Sequence, residues 1–354
     1  MKREIFGRKL SLCVGSAVWA LSATGQQASP PAPAPNARPD AATTQQPTAQ
    51  GLTGREPGIQ SSQPSDPILA ECLALIEKRQ YPVAADKIHA YLRDHPNAAA
   101  AHFLLGYALY RQNQPRESLA EYTSAARLQK PEANDLAVVA MDYVLLRDYP
   151  DADKWLTKAT AWSPGNEMYW YYLGRTKYAE NHFQESIEVF SKCLTLAPRD
   201  VRAEYNLGLS YAGLGKNDEA AAAYRTAIGW QQGSTAEDPQ PYLDLGMLLL
   251  QEGKPDLALQ PLQKAVALDP KNPRAHEQLG QTWEQLKNLP QADTEMQAAV
   301  SLAPDVSSLH FEMGRIFQRE GLGAKAKAEF DRCAALNATH STESVETPNP
   351  APPQ

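Results

Sequence analysis

Three histidines return at one place in otherwise unlike segments: His102, His276 and His310. Imidazole can shuttle protons or hold a metal, but these three stand far apart in the chain, and they read as packing or half-exposed residues. His276-Glu277 opens like a zinc-binding helix motif, yet the second histidine is absent at the required spacing. Gly213-Leu214-Gly215-Lys216 has part of a phosphate-cradling loop. It lacks the earlier glycine, and Asn217 follows where a Ser or Thr would be needed. Cys13, Cys72, Cys193 and Cys333 are too widely spaced for a disulfide framework, and Asn337-Ala338-Thr339 fits a glycosylation acceptor by three residues only. These residues form no catalytic, metal or cofactor constellation, so the chain is read as a non-enzyme.

The element that positions all of them is a period. On a 34-residue ruler, segments start at Ser65, Ala99, Ala133, Glu167, Val201, Pro239, Pro273 and Ser307, with one insertion, Thr235 to Asp238. Position 8 holds Cys72, Gly106, Ala140, Gly174, Gly208, Gly246, Gly280 and Gly314. Position 20 holds Ala84, Ser118, Ala152, Ser186, Ala220, Ala258, Ala292 and Ala326. Position 27 is small from the second segment on, as at Ala125, Cys193 and Cys333. Small residues let two helices approach, and large ones fill what remains. The large ones are at position 7 (Leu105, Leu173, Leu207), position 11 (Leu75, Tyr143, Trp283) and position 24 (Ile88, Tyr122, Phe190, Phe330). Spacings of three and four give each helix one apolar stripe. Pro96, Pro164, Pro198, Pro270 and Pro304 end the second helix, while Gly215, Gly253 and Gly321 mark the turn between the two helices.

On these residues the chain resembles the tetratricopeptide repeat family. Trp170, Leu173, Gly174, Ser186, Phe190, Cys193 and Pro198 make a nearly complete copy of its pattern, and the resemblance covers 65–340. It implies an all-α fold, a right-handed α-solenoid of eight helix-turn-helix units. First helices would line a concave face and second helices the outside. Three departures carry expectations. Lys177 at position 11, beside Tyr178, predicts a locally rotated helix. The fifth segment has Gln232 in place of its proline, and the Gln231–Asp238 loop predicts a kink or loosening. Glu71 and Tyr91 suit a terminal unit with one wet face.

The resemblance also places residues in the concave groove. They are Phe103, Leu104, Tyr107, Tyr110 and Arg111, then Asn134, Val138, Met141 and Val144. Met168, Tyr171, Tyr172, Arg175 and Tyr178 follow, then Arg202, Tyr205, Asn206 and Leu209. Tyrosine and arginine are the usual anchors of interaction surfaces. The alternative is that some of these tyrosines pack against adjacent helices. The carboxylate clamp of chaperone-binding relatives is not reproduced; only Asn206, near Arg175 and Arg202, is reminiscent of it. The later units are polar and mixed in charge at these positions: Asp244, Gln251, Glu277, Gln278, Gln281, Glu284, Glu312, Arg315 and Arg319.

Outside the array, Lys2, Arg3, Arg8 and Lys9 flank an apolar run from Leu10 to Leu21, with Ala23-Thr24-Gly25 after it. This reads as a signal peptide over 1–25, and no other run is long enough to span a membrane. Residues 26–64 are Pro-, Ala- and Gln-rich, a disordered linker, and 341–354 a Pro-rich tail. The net charge is −7, which argues against nucleic acid as the partner. The reading is an exported, periplasmic or secreted scaffold that binds a protein or peptide segment in its groove, in envelope assembly, secretion or export. The alternatives are a carbohydrate or small-ligand module, or an accessory subunit of a secreted enzyme. The array shows no covering helix after Leu336, so the last face, with Phe330 and Leu336, is a candidate for self-association.

Overall fold

A computed structural model of the chain describes Pro57 and residues 64–343. The predicted leader 1–25, the linker 26–64 apart from Pro57 and Pro64, and the tail beyond 343 lie outside the described residues. The chain divides into units Met1–Gly51 and Leu52–Gln354, and all the described residues belong to the second.

The described residues form sixteen helices and no strand. In chain order they pair as α1 (Pro67–Glu77) with α2 (Tyr81–Asp94), α3 (Ala99–Arg111) with α4 (Pro115–Leu128), and α5 (Ala133–Leu145) with α6 (Tyr149–Trp162). Next come α7 (Glu167–Ala179) with α8 (Phe183–Leu196), and α9 (Val201–Gly213) with α10 (Asn217–Gln231). The last three pairs are α11 (Gln240–Gln251) with α12 (Pro255–Leu268), α13 (Pro273–Gln285) with α14 (Leu289–Leu302), and α15 (Ser307–Arg319) with α16 (Gly323–Glu343). These are the eight helix-turn-helix units of an α-solenoid. Each first helix starts within two residues of its predicted segment. The last helix runs three residues into the predicted tail.

Every intra-unit turn is built alike. The N–H of position 16 donates to the C=O of position 11 at 2.9–3.0 Å in all eight units, from Gln80 on Leu75 to Leu322 on Phe317. This six-to-one closure needs a left-handed residue one step earlier. Position 15 supplies it everywhere: Gly215, Gly253 and Gly321, but also Arg79, Asn113, Arg147, Asn181 and Lys287, with φ between 59° and 77°. The three glycines seen in sequence were therefore part of a backbone rule that five non-glycines also obey. Pro82, Pro115, Pro150, Pro255 and Pro290 then open second helices, where a missing N–H costs no hydrogen bond.

The small-residue columns are buried except at Cys333, which is half-buried. At position 20 every side chain from Ala84 to Ala292 is fully buried, and Cys72 and Cys193 are buried fillers that form no disulfide among the described residues. Position 8 is small because position 24 fills its space. A Cβ on Gly174 would stand 2.8 Å from the Phe190 ring, and one on Gly208 would stand 2.6 Å from Tyr224. Burying such a ring stabilises the fold by roughly 1.5–3 kcal/mol.

Neighbouring units are joined by buried polar contacts that the columns conceal. Ser186 Oγ lies 2.8 Å from Ser210 Oγ, and Ser118 Oγ lies 2.6 Å from Asp142 Oδ2 and 2.9 Å from the Gly106 carbonyl. Burial pushes the Asp142 carboxyl up to about 8, against the pull of Ser118. A serine hydroxyl has one proton and the Gly106 carbonyl can only accept. A protonated Asp142 resolves the conflict by donating back to Ser118.

Three sequence expectations change. Lys177 does not rotate α7. Its ammonium pairs with Asp153 at 3.1 Å and Glu185 at 2.6 Å, and Gly174 keeps its place on Phe190. The insertion after α10 is stitched down. Gln231 donates Nε2–H to the Asp238 carbonyl at 2.9 Å and accepts the Asp238 N–H at 3.0 Å. Glu237 accepts from the Gly233 N–H and the Tyr242 hydroxyl. At the C-terminal end Leu336 is buried and Phe330 is half-buried against Phe311. The exposed apolar residues there are Phe311 and Leu322.

Candidate functional site

First helices of successive units touch each other, α1 with α3, α3 with α5, α7 with α9 and α11 with α13, whereas second helices make no comparable contact among themselves. Elements that crowd along one side form the inner side of a curve, so the first helices line the concave face.

The floor of that face is a recurrent ring pair. Position 5 sets its ring on position 24 of the same unit: Phe103 on Tyr122 (6.0 Å between centroids), Tyr171 on Phe190 (6.1 Å), Tyr205 on Tyr224 (5.8 Å) and Phe311 on Phe330 (5.7 Å). Offset and tilted pairs of this kind favour the ring quadrupoles. The core rings thus hold the groove rings in place.

On this floor lie the arginines. Arg175 of α7 and Arg202 of α9 both sit over the ring of Tyr171, at 5.9 and 5.2 Å from its centroid. Two guanidinium groups from adjacent units share one ring, each contact worth about 0.5–2 kcal/mol depending on exposure. Arg111 lies over Tyr81 (4.8 Å) and Tyr107 (5.9 Å) and donates to the Tyr107 hydroxyl at 3.1 Å. The sequence reading missed Tyr81, because it belongs to a second helix; only the fold brings it under Arg111.

The expected groove residues divide by burial. Tyr107, Tyr110, Tyr171 and Tyr172 are buried, while Phe103, Arg111, Arg175, Tyr178, Arg202, Tyr205 and Asn206 are half-buried. Tyr107 meets Tyr110 at 6.2 Å and Tyr171 meets Tyr172 at 5.5 Å. Asn206 has one amide proton engaged by the Arg202 carbonyl at 2.8 Å. The Tyr205 hydroxyl donates to Asp244 Oδ2 at 2.5 Å, and burial followed by the charge of Asp244 raises the phenol well above its ordinary range. Burial also raises Asp244, opposed by hydrogen bonds from Tyr205 and Gln240.

Farther along, charge is arranged differently. Arg315 reaches Glu312 at 2.6 Å and Glu284 at 3.6 Å, and Arg319 reaches Glu284 at 3.2 Å. Both arginines are held by carboxylates of their own face. Glu277 accepts from the Gln281 amide at 3.4 Å; burial followed by the charge of Glu312 raises its carboxyl, and the charge of Arg274 opposes the rise.

The three histidines have a shared structural task. Nδ1 of His102, His276 and His310 lies 2.6–2.7 Å from Glu121, Glu295 and Glu329, and Nε2 lies 2.9–3.2 Å from the carbonyls of Pro96, Pro270 and Pro304. The Trp170 indole donates to the Pro164 carbonyl at 2.9 Å from the same position. An aromatic N–H thus pins the loop that enters each of these units. The Gly213–Lys216 stretch is the turn after α9. Among the described residues no group of three or more His, Cys, Asp or Glu side chains could hold a metal, and no helix is long and apolar enough to cross a membrane.

Comparison with known proteins is consistent across sequence and structure. Tetratricopeptide repeat families match residues 69–137 and 171–239 in one case and 249–310 in another, together more than half of the chain. The chain is 24% identical over 209 residues to anaphase-promoting complex subunit 3 of Schizosaccharomyces pombe, covering 59% of this chain and 30% of that protein. It is 34% identical over 70 residues to the peroxisomal targeting signal receptor of Kluyveromyces lactis, covering 20% of this chain and 12% of the receptor. The chain thus spans less than a third of the length of these curated relatives. A solved tetratricopeptide repeat protein from Parabacteroides merdae superposes with a TM-score of 0.53 at 18% identity, covering 71% of this chain and 97% of that one. At that identity the likeness concerns the fold.

Proposed function

The chain belongs to the tetratricopeptide repeat family, and from that premise we propose that it is a non-catalytic adaptor that holds a protein segment along its first-helix face. Proteins of this family typically mediate protein–protein interaction. One observation supports the reading most directly: Arg175 and Arg202, from two units, are both poised over Tyr171. Rigid aromatic area with charge at its edge is what interaction hot spots use. We further propose export to the periplasm or the exterior, on the basic-then-apolar start of the sequence, and a part in envelope assembly, secretion or export. A sugar-stacking groove is less favoured, because two guanidinium groups already occupy the Tyr171 ring.

The test is in-cell crosslinking with mass spectrometry on the full chain and on Tyr171→Ala, Arg175→Ala and Asn206→Ala. The expected result is one specific protein crosslinked to the parent and lost from the variants. An unchanged protein set, together with loss of glycan binding, would overturn the proposal in favour of the carbohydrate reading.

A further inference from the structure

We infer that the chain covers the first half of its own groove: the segment that carries Pro57 lies over α3, α5 and α7, and a partner for those units must displace it.

The groove columns are not equally open. At position 6, Leu104, Val138 and Tyr172 of units two to four are only 0–3% exposed, whereas Asn206, Asp244, Gln278 and Glu312 of units five to eight are half-buried. Residue type does not explain the change, because position 9 holds methionine on both sides of it. Met141 in unit three is 1% exposed, and Met247 in unit six is half-buried. Nor do the flanking first helices explain it, since α5 touches α3 as α11 touches α13. On a repeated skeleton, one column on equivalent helices meets one environment. Something therefore lies over the earlier units and not over the later ones. The helices that pack on α5 most closely are α3, α4 and α6, and these build the wall of the groove.

The cover belongs to the chain itself. Pro57, ahead of α1, is buried, and it falls in the same compact unit as the array, Leu52–Gln354. Between residues 26 and 64 the only bulky apolar side chains are Leu52 and Ile59, five residues before Pro57 and two after it. A tract of Pro, Ala, Gln and Ser has little to gain from an aromatic floor, whereas Leu and Ile gain by leaving water. The reach agrees as well. Pro57 stands ten residues before Pro67, where α1 begins, a tether of at most about 36 Å. First helices in contact lie about 10 Å apart, which puts α3, α5 and α7 within that reach and α9, about 40 Å away, beyond it. The buried part of position 6 ends at the same place. So short a tether keeps the segment beside its site at an effective concentration on the order of millimolar, and a second protein has to compete with it there.

Hydroxyl-radical footprinting with mass spectrometry on the full chain tests this by comparing Met141 with Met247. In the parent, Met141 should be oxidised about fivefold more slowly than Met247. In Leu52→Asp/Ile59→Asp it should rise about fivefold to the rate of Met247, with Met247 itself unchanged. Both substitutions precede α1, and circular dichroism checks that the helices persist. Should they not, Leu52→Ser/Ile59→Ser gives the same comparison. Equal oxidation of Met141 and Met247 in the parent, or a Met141 just as protected in the folded variant, would overturn the inference. The readout needs no partner, so it stands apart from whether cellular crosslinking finds one.

Discussion

Units two to five and units six to eight share one skeleton and differ where the skeleton is indifferent. Both halves use the same turn, the same small columns and the same ring-supported floor where position 5 is aromatic. In the earlier half the floor carries buried tyrosines, and arginines lie on top of it. In the later half Arg315 is matched by Glu284 and Glu312, and carboxylates and amides stand side by side. The period constrains what faces the neighbouring helix. It leaves the groove side free, and the two halves have filled it differently.

The contrast extends into the core, where it can be broken most forcefully. Position 10 is Ala108, Asp142, Thr176 and Ser210 in units two to five and Leu248, Thr282 and Ile316 in units six to eight, so only unit three places a carboxyl there. Burial holds the Asp142 carboxyl at about 8 in the folded chain, against an ordinary value of 3.8. Between those values the folded chain holds one more proton than the unfolded chain, so raising the pH lowers stability. The slope approaches about 1.4 kcal/mol per pH unit and flattens above pH ~8. Asp142→Asn should remove that part of the slope and be the more stable form by several kcal/mol at about pH 8. Urea midpoints of parent and variant between about pH 5 and pH 9 read this directly. Parallel curves would show that Asp142 is not held as an acid.

A smaller effect sharpens the comparison at position 8. Gly174→Ala drives a methyl into the Phe190 ring and should cost about 1–3 kcal/mol. At Gly280 the nearest atoms to an added Cβ are 3.4–3.5 Å away, around Met296. There alanine should be neutral or gain up to ~1 kcal/mol through helix propensity. Thermal midpoints of the two variants should move in different directions, and equal losses would mean that the aromatic filler does not set the constraint.

The smallest effect lies in the turns. Arg79, Asn113, Arg147 and Asn181 hold the left-handed position in units one to four, whereas units five, six and eight use glycine. Arg147→Gly should raise stability by about 1 kcal/mol, and Gly253→Ala should lower it by a similar amount. Denaturant midpoints for the pair test whether the backbone, and not the side chain, is what position 15 requires.

Much of this was legible from residue spacing alone. Helix starts, the Gly174–Phe190 type of contact and the role of Cys72 and Cys193 as fillers all follow from spacings within one unit, where helix geometry leaves little choice. The groove list was legible only in part. Phe103, Arg175, Arg202 and Asn206 are half-buried on the first helices, but Tyr107, Tyr110, Tyr171 and Tyr172 are buried, and Tyr81 was not in view. The expected rotation at Lys177 failed because the sequence hides the two carboxylates, on α6 and α8, that make a lysine tolerable there. The expected loosening at the insertion failed because Gln231 and Asp238 look like ordinary loop residues until they face one another.

By itself the sequence determined the period, the helix boundaries and which columns must be small, because each rests on contacts between residues a fixed, short distance apart on rigid helices. The tertiary structure alone decided which charges are neutralised, which carboxyl stays protonated and which arginines share a ring. Those depend on burial from water and on partners that in cases such as Asp142, Lys177 and Tyr205 lie 24 to 39 residues away, and neither can be read from the order of residues along the chain.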